Sequence, residues 1–357
     1  MSPLVKELQK HTEYFNIKIC LTGQHREMLD QINSFFGING DFDLNLMLPN
    51  QTLFDITARC LIGLKEILDV ISPDLIFVQG DTTSVMAGAI AGFYKQIPVA
   101  HLEAGLRSGK KYSPFPEEIN RVITSHIADY HFSPTPLAVE NLKKEGIIDN
   151  VYVVGNTVID ALYMGLDIIK NNEQAIYVNF FHFLDFSKKI ILITGHRRES
   201  FGSGFEQICQ AISTVAEEYQ EVQFVYPMHL NPHVREPVIR ILGNQKNVFL
   251  IEPLDYPYLL YIMEKCYFVL TDSGGIQEEA PALGKPVLVM RDVTERQEGV
   301  DAGTAKLIGT QYDTIISAMK ELLDDSKIYF SMANSINPYG DGTTSKKIAE
   351  ILLTEIC

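Results

Sequence analysis

The stretch that decides the fold is Thr271-Asp272-Ser273-Gly274-Gly275-Ile276-Gln277-Glu278-Glu279. An apolar run at 267–270 precedes it and a second run at 286–290 follows it, which predicts a strand, a loop, a helix and another strand. Two glycines at the start of a helix leave backbone N–H groups open to an anion such as phosphate. A carboxylate one turn later, Glu278 or Glu279, is placed to bind a ribose diol. The alternative is a tight turn in which Ser273 only caps the helix.

Length favours two folded domains, because 357 residues exceed what one hydrophobic core usually accommodates. A hydrophobic content of 46% is enough to fill both cores. The net charge of -15 argues against a surface for nucleic acid. No apolar run reaches the ~18–20 residues of a membrane span, and residues 1–10 lack the apolar region of a signal peptide. Five scattered cysteines without a CxxC pair predict neither a disulfide framework nor a thiolate metal site. We therefore expect a cytoplasmic protein without a nucleic-acid or membrane partner.

Apolar strand-like runs alternate with helix-like segments along the first half of the chain. Predicted strands lie at 17–21, 74–78, 99–102, 130–132 and 151–154. Predicted helices lie at about 4–11, 26–36 and 52–70, and two more begin near residues 80 and 117. This alternation predicts a doubly wound parallel sheet.

The alternation starts again after Gly155-Asn156. Predicted strands lie at 189–193, 222–225, 248–251, 267–270 and 286–290. Predicted helices lie at about 157–170, 204–219 and 343–356, whereas residues 171–187 have no clear pattern. Two α/β domains with a boundary near residue 155 are therefore predicted.

Candidate functional residues follow predicted strands in both halves of the chain. They are Asp81, Glu103, His196, His229 and Ser273. Open α/β sheets bind their ligands at the carboxyl ends of their strands. Five such residues spread over two sheets predict a cleft between two facing Rossmann-like domains.

Common cofactor motifs are absent from the sequence. No GxGxxG opens a strand–helix unit, and neither a GxxxxGK[ST] P-loop nor an HExxH motif occurs, so we expect no cofactor and no metal. The segment Asp272-Ser273-Gly274-Gly275 is similar to the one around a serine-protease nucleophile. Here, however, a buried strand and a helix flank it, whereas those proteases are antiparallel barrels.

Carboxylates near one end of the first sheet are candidates for acid–base chemistry. Asp81 starts a helix after a strand, where its alternative role is that of an N-cap. Glu103 ends a buried strand and needs either a functional role or a partner such as Arg107. Glu117 and Glu118 open a helix, where acidic residues also stabilise the helix dipole.

His196 lies in the basic cluster 195–198, whose alternative interpretation is a solvated loop. Carboxylates that share a cleft have pKa values pushed apart, so that the set supplies both an acid and a base. Together with a diphosphate site, this predicts an enzyme that removes a proton from a nucleotide sugar and stabilises a departing diphosphate.

Seven motifs, in this order along essentially the whole chain, resemble those of the non-hydrolysing bacterial UDP-N-acetylglucosamine 2-epimerases. They are Gly80-Asp81-Thr82-Thr83, His101-Leu102-Glu103-Ala104-Gly105-Leu106-Arg107, Pro114-Phe115-Pro116-Glu117-Glu118-Ile119-Asn120-Arg121, Gly155-Asn156-Thr157-Val158-Ile159-Asp160, Gly195-His196-Arg197-Arg198-Glu199, His229-Leu230-Asn231-Pro232 and Asp272-Ser273-Gly274-Gly275-Ile276-Gln277-Glu278-Glu279. The resemblance implies a GT-B-like pair of Rossmann domains. The first comprises residues 1–154 together with the C-terminal helix 343–357, and the second comprises residues 155–338.

The resemblance also implies a homodimer that interconverts UDP-GlcNAc and UDP-ManNAc. The implied reaction is an anti elimination of UDP to 2-acetamidoglucal, followed by protonation on the other face and re-addition of UDP. The implied acid–base groups are Asp81, Glu103 and Glu117, with His196 assisting at the leaving diphosphate or the glucal. The implied substrate-binding residues are Ser273, Gly274, Gly275, His229 and Arg296 for the diphosphate and Glu279 for the ribose. A second, activating UDP-GlcNAc site is implied at Gln24, His25, Arg59 and Arg197.

The start of the chain departs from the family pattern. Family members open with an apolar strand, a Gly-Thr-Arg-Pro-Glu phrase and a helix with a lysine before the segment that matches residues 2–5. The missing strand is normally internal to the first sheet, and the missing Arg and Lys face the substrate. We therefore expect the native start to lie upstream of Met1, and a chain that begins at Met1 to have poor stability and little or no activity.

Four other functions remain compatible with the sequence. A hydrolysing 2-epimerase would release free ManNAc and UDP, and a related non-hydrolysing enzyme would act on another sugar nucleotide. A GT-B glycosyltransferase would share the nucleotide site and transfer the sugar to an acceptor. A UDP-sugar sensor would bind without turnover.

Overall fold

The computed structural model describes residues 1–24, 26–48, 50–172, 174–197 and 201–355. The chain divides into two units, Met1–Ala161 with Tyr339–Cys357 and Leu162–Pro338. Each unit has helices and parallel sheets. Within the described residues, no helix is both long and apolar enough to cross a membrane.

Two parallel sheets form the first unit. One pairs β1 (Cys20–Leu21) with β2 (Phe42–Asp43). The other has the strand order β3 (Ile76–Gln79), β4 (Val99–Leu102), β5 (Tyr130–Ser133) and β6 (Val151–Val153). Because β3 and β4 are parallel and in register from Ile76–Val99 to Gln79–Leu102, the chain segments that follow them leave the sheet side by side.

One six-stranded parallel sheet forms the second unit. Its strands are β7 (Ile190–Thr194), β8 (Gln223–Pro227), β9 (Val248–Ile251), β10 (Phe268–Thr271), β11 (Val287–Val289) and β12 (Ala305–Leu307). The spatial order is β9-β8-β7-β10-β11-β12, which is the 3-2-1-4-5-6 order of a Rossmann sheet. The succession of strands reverses between β7 and β10, and this is the point at which such sheets bind ligands.

Helices connect the strands in both units. They are α1 (Ser2–Leu8), α2 (Arg26–Phe36), α3 (Leu53–Ile71), α4 (Thr83–Tyr94), α5 (Glu117–Ile127), α6 (Pro136–Lys144), α7 (Thr157–Asn172), α8 (Gln174–Phe180), α9 (Ser203–Glu218), α10 (Pro232–Leu242), α11 (Tyr256–Lys265), α12 (Ile276–Ala282), α13 (Gln297–Asp301), α14 (Tyr312–Asp324), α15 (Ser326–Ala333) and α16 (Thr344–Glu355). The last of them, α16, packs against α1 in the first unit. Helix α3 begins with a capping box, in which Thr52 Oγ1 accepts from the Asp55 N–H and the Asp55 carboxylate accepts from the Thr52 N–H.

The centre of the second sheet is buried on both faces. Every residue of β10 is buried, and so are the first four residues of β7. Parallel strands covered by helices on both sides need continuous apolar runs rather than alternating ones. This is why the local sequence pattern predicted these strands, and the predicted α/β class with parallel sheets is confirmed.

One local prediction needs correction, and one stretch without a prediction proves helical. The strand predicted at 17–21 forms only at Cys20–Leu21, because its one partner, β2, is equally short. The patternless stretch 171–187 contains α8, whose Tyr177 stacks on Tyr261 of α11 at a ring-centroid distance of 5.7 Å. The stability of α8 therefore depends on a contact distant in sequence, which local periodicity does not reveal.

Candidate active site

The loops after β3 and β4 lie against each other in the first unit. Gly80 has a φ of 82°, and Glu103 has a φ of 63°, a left-handed conformation that residues other than glycine adopt rarely. His101 is fully buried, and its Nε2–H donates to the Gly80 carbonyl at 2.8 Å. Burial lowers the pKa of His101 to about 4, so the ring is neutral and serves as a fixed donor. Such constrained backbone is concentrated at functional sites.

Asp81 is held from helix α5. Arg121 donates from Nε and Nη2 to Asp81 Oδ2, at 2.9 and 2.7 Å. The Asn120 side-chain amide donates to the Asp81 carbonyl at 2.8 Å. Thr82, and not Asp81, is the N-cap residue of α4, so the N-cap interpretation of Asp81 is wrong. Among the described residues, Oδ1 of Asp81 has no hydrogen-bond partner, and it can therefore meet a ligand.

Glu103 is held by an amide rather than by an arginine. Gln79 Nε2 donates to Glu103 Oε1 at 2.6 Å and to Thr157 Oγ1 at 3.1 Å. Arg107, the partner considered from the sequence, forms two hydrogen bonds with Glu145 instead, at 2.7 and 2.8 Å. That pairing with Glu103 was wrong, because Arg107 lies beyond the left-handed turn and faces α6.

The first turn of α5 carries two glutamates with different environments. Glu118 accepts from the backbone N–H groups of Ser108 and Gly109 and from Arg121 Nη1, at 3.0 Å for the arginine. Burial opposes the ionisation of Glu118, but these donors outweigh it, and the net effect lowers its pKa. Glu117, in contrast, has a buried Oε2 without a hydrogen-bond partner in the described part of the chain. Glu118 is therefore a structural anchor, whereas Glu117 Oε2 is still available for a further contact.

His196 and His229 lie at the switch point of the second sheet. His196 follows β7 and His229 follows β8, and their rings stack at a centroid distance of 5.2 Å with an interplanar angle of 10°. Burial is the main cause that lowers the pKa of His229, and the neighbouring His196 lowers it further. The backbone N–H groups of His196 and Arg197 donate to Asp272 Oδ2 at 2.7 and 2.8 Å. The basic segment at 195–197 is thus an anchored turn and not merely a solvated loop.

The glycine-containing loop 273–275 follows β10 directly. Gly275 is the N-cap residue of α12, without a side-chain cap, so the interpretation of Ser273 as a capping residue is wrong. Within the described residues, the N–H groups of Gly274 and Gly275 have no hydrogen-bond acceptor. A side chain at Gly274 would meet Glu295 Oε1 at 3.1 Å and the Arg296 guanidinium carbon at 3.6 Å. The loop therefore presents two N–H groups beside an arginine.

Glu279, on the first turn of α12, is buried, and it has no cationic partner in the described part of the chain. Tyr256 donates its hydroxyl to Glu279 Oε1 at 2.8 Å, while the adjacent Glu278 pairs with Arg296 Nε at 2.8 Å. Burial raises the pKa of Glu279 to about 7, and the charge of Glu278 adds to this effect. A carboxylate held in such a place can accept hydrogen bonds from two hydroxyl groups.

Three arginines gather around Glu295. Arg291 Nη1 lies 2.9 Å from Glu295 Oε2, while Arg296 Nη1 and Arg197 Nη2 lie 3.3 and 3.8 Å from Oε1. Burial opposes the ionisation of Glu295, but Arg296 and Arg291 reverse the effect and lower its pKa. Three guanidinium groups are therefore collected beside the loop 273–275, although the chain as a whole carries -15.

The residues proposed for an activating site have structural contacts. Gln24 Oε1 accepts from the Ser84 hydroxyl, and Arg59 donates to the carbonyls of Leu46 and Asn45 at 2.9 and 3.3 Å. Arg197 belongs to the second unit, as described above. His25, the fourth residue of this set, lies outside the described residues.

The comparisons with known proteins agree over almost the whole chain. The family model described as UDP-N-acetylglucosamine 2-epimerase matches residues 6–353. A protein of Escherichia coli strain K12 named UDP-N-acetylglucosamine 2-epimerase is 52% identical over 356 residues, which is 99% of this chain and 94% of that protein. The chain belongs to the UDP-N-acetylglucosamine 2-epimerase family.

Solved structures of other UDP-N-acetylglucosamine 2-epimerases have the same fold. The Neisseria meningitidis enzyme bound to UDP-GlcNAc matches with a TM-score of 0.92 and 48% identity, over 99% of this chain and 96% of that one. The Methanocaldococcus jannaschii enzyme in complex with UDP-GlcNAc and UDP matches with a TM-score of 0.80 and 34% identity, over 99% of this chain and 95% of that one. The predicted GT-B-like fold class is confirmed. The predicted family is confirmed too, and it is a family of isomerases whose known activity is reversible C2 epimerisation of UDP-GlcNAc.

Sequence reasoning missed several residues that hold the candidate site residues in place. Arg121 and Asp272 lie inside two of the family motifs, so the motifs contained them without indicating their roles. Gln79, Tyr256 and Glu295 stand outside those motifs, and only the tertiary structure connects them to Glu103, Glu279 and the arginines.

In the described part of the chain, no group of three or more His, Cys, Asp or Glu residues could hold a metal ion.

Proposed function

We propose that this chain catalyses the reversible C2 epimerisation of UDP-GlcNAc to UDP-ManNAc without hydrolysis. Family membership supports the activity, and one structural observation supports its location. Glu117 Oε2 is buried without a hydrogen-bond partner among the described residues, one helical turn before the Arg121 that holds Asp81. An unsatisfied carboxylate oxygen is costly, and it is expected where a substrate supplies the missing contact.

The second unit supplies the groups that bind UDP. The N–H groups of Gly274 and Gly275, the Ser273 hydroxyl, Arg296 and His229 act on the diphosphate, where charge-assisted hydrogen bonds are strongest. Glu279 accepts from the ribose hydroxyls. Because UDP is both part of the substrate and the leaving group, these contacts must persist while the sugar is detached.

The first unit supplies the acid–base groups Asp81, Glu103 and Glu117. One carboxylate removes the C2 proton, the C2–H electron pair forms the C1–C2 double bond, and the bond from C1 to the diphosphate oxygen breaks. The products of this step are 2-acetamidoglucal and UDP. A carboxylic acid then returns a proton to the other face of C2, and UDP adds back at C1. His196 donates to the diphosphate oxygen as negative charge develops there.

Incubation with UDP-GlcNAc in deuterated water tests this function. We expect UDP-ManNAc with deuterium at C2, and slow appearance of the label in recovered UDP-GlcNAc. Net release of free ManNAc with UDP would instead identify a hydrolysing epimerase. Product formation only after addition of an acceptor, without C2 exchange, would identify a transferase. Calorimetric binding of UDP without turnover would identify a sensor.

We also propose that the chain forms a homodimer through α3 and α4. The side chains Phe54, Ile62, Val70, Phe93 and Tyr94 on these helices are between 62% and 87% exposed. Exposed large apolar side chains on two helices that contact each other are typical of a region that a partner covers. The family resemblance supports a second copy of the chain as that partner.

The activating UDP-GlcNAc site at Gln24, His25, Arg59 and Arg197 remains a proposal as well. If it exists, turnover of UDP-ManNAc alone should be slow and should accelerate on addition of small amounts of UDP-GlcNAc. A rate that does not depend on added UDP-GlcNAc would contradict it.

A further inference from the structure

We propose that Asp272 is a positioning residue that orients the His196 imidazole and determines which of its nitrogens carries the proton. The Asp272 carboxylate accepts a hydrogen bond from the Nδ1–H of His196, so that Nε2 is directed at the ligand. The consequence for catalysis rests on the proposed function, whereas the orientation of the ring does not.

The fold places Asp272 and His196 at the ends of neighbouring strands. Thr271 of β10 is in register with Thr194 of β7, and their hydroxyl groups lie 2.6 Å apart. The Asp272 N–H donates to the Thr194 carbonyl at 3.0 Å, which extends the sheet pairing by one residue. The backbone of Asp272 is therefore fixed with respect to β7.

The two oxygens of the Asp272 carboxylate have different environments. Oδ2 accepts the N–H groups of His196 and Arg197 and so fixes the backbone of the turn. Oδ1 is buried without a hydrogen-bond partner among the described residues, and it lies 3.6 Å from His196 Nδ1. This distance is slightly longer than a hydrogen bond, so the proposed contact requires a small movement of the His196 side chain toward Oδ1. Asp272 is only 2% exposed, so solvent does not satisfy Oδ1 readily.

Other contacts restrict the turn and leave the ring little choice. Tyr226 is buried and donates its hydroxyl to the Gly195 carbonyl at 2.9 Å. A Cβ atom at position 195 would lie 3.1 Å from Met290 Cε and 3.2 Å from the Tyr226 hydroxyl. This close packing explains why the residue at this position is glycine. The His229 ring covers one face of His196. With its backbone anchored and one face covered, His196 can present one edge to Asp272 and the other to a ligand.

This orientation fixes the chemistry available at Nε2. When Nδ1–H donates to Asp272, a neutral imidazole carries its lone pair on Nε2, and a protonated imidazole has an Nε2–H for an anionic oxygen. A histidine that changes between these forms can receive a proton and deliver it at the same atom. A carboxylate behind Nδ1 stabilises the positive charge of the protonated form, as in other aspartate–histidine pairs.

The competing interpretation is that Asp272 only anchors the turn at 195–197. Asp272→Ala would not separate the two roles, because it removes both. Asp272→Asn does separate them. Its amide oxygen can still accept the two backbone N–H groups, but its NH2 group then faces Nδ1 and favours the opposite tautomer, with the proton on Nε2.

The decisive experiment is 15N NMR of the full chain labelled in its nine histidines, with the His196 signals assigned by difference from His196→Gln. In the wild type we expect a protonated Nδ1 at His196, whether or not UDP is bound. In Asp272→Asn we expect the proton on Nε2, and a kcat lower by on the order of 10²-fold with a much smaller change in KM. The matched control is Asp325→Asn, because Asp325 also accepts two backbone N–H groups in the same unit but faces no histidine. It should change neither measurement.

Two results would overturn the inference. One is a wild-type spectrum with the His196 proton on Nε2 and the lone pair on Nδ1, a result that does not require Asp272→Asn to fold. The other is an Asp272→Asn protein that melts normally and retains both the wild-type tautomer and the wild-type kcat. If the wild type lacks epimerase turnover but shows the expected tautomer, the proposed function fails and the orientation stands.

Discussion

At the scale of single residues, Glu279 is a side chain whose environment opposes its charge. It is buried, it accepts one hydrogen bond from Tyr256, and its neighbour Glu278 takes the contact with Arg296. Its pKa is raised from 4.5 to about 7, chiefly by burial. For a carboxyl group with a raised pKa, folding is most favourable below the unfolded value of 4.5 and loses stability as the pH rises to about 7.

Glu279→Gln should therefore stabilise the ligand-free protein at pH 8. The gain should be up to about 3 kcal/mol, should shrink toward pH 5, and should come with weaker binding of UDP. Urea unfolding at both pH values measures the first effect, and the UDP-induced rise in Tm measures the second. Glu236→Gln, an exposed glutamate of the same unit, is the control. An unchanged or lower stability at pH 8 would show that the ionised Glu279 is compensated by contacts other than those described.

The candidate acid–base groups give a second prediction at the residue scale. Asp81→Asn, Glu103→Gln and Glu117→Gln should each lower kcat by on the order of 10²- to 10⁴-fold, because an amide cannot transfer the C2 proton. Affinity for UDP, measured by calorimetry, should change much less. Asp74→Asn, an exposed aspartate before β3, should behave as the wild type. Near-normal turnover in all three variants would refute this assignment.

At the scale of elements, the first turn of α5 connects three parts of the first unit. Glu118 holds the backbone at 108–109, Arg121 joins Glu118 to Asp81, and Asn120 holds the Asp81 carbonyl. The ion pair of Glu118 and Arg121 is almost fully buried. Removing one member of such a pair leaves the other charged and uncompensated.

Arg121→Met should consequently destabilise the protein by about 3–5 kcal/mol. The double variant Arg121→Met with Glu118→Gln should recover part of this loss, because the uncompensated buried charge is then removed. A double-mutant cycle based on urea unfolding measures the coupling. Purely additive losses would show that the pair is not coupled.

The elements also show what the sequence could and could not predict. Strands such as β7 and β10 were predictable because a strand buried on both faces requires a local apolar run. Helix α8 was not, since Tyr177 depends on Tyr261 for its burial. At the site, the sequence indicated Asp81 and Glu103 as candidates, whereas Arg107, the alternative partner considered for Glu103, pairs with Glu145 instead. Which cation or amide faces a carboxylate is decided by tertiary packing, and one sequence does not specify it.

At the scale of the whole molecule, the exposed apolar residues of α3 and α4 predict self-association. Ile62→Lys combined with Val70→Lys should shift a dimer toward the monomer, because charges would then lie in a desolvated interface. Sedimentation equilibrium measures the change. Ile336→Lys, at an exposed position of the second unit, is the matched control and should leave the mass unchanged. A wild type that sediments as a monomer at all concentrations would contradict the prediction.

The strand order of the second unit has a consequence for how the protein acquires its activity. β7 and β10 are neighbours in the sheet, yet β8, β9 and the helices between them separate the two strands in the sequence. Bringing the two ends of so long a segment together costs conformational entropy, and contacts between residues far apart in sequence slow folding. His196 and the loop at 273–275 therefore come together only when this pairing forms. The proposed UDP site therefore does not exist in a newly synthesised chain until β7 and β10 have paired, and under this proposal UDP binding measures the fraction of chains in which the second sheet has formed.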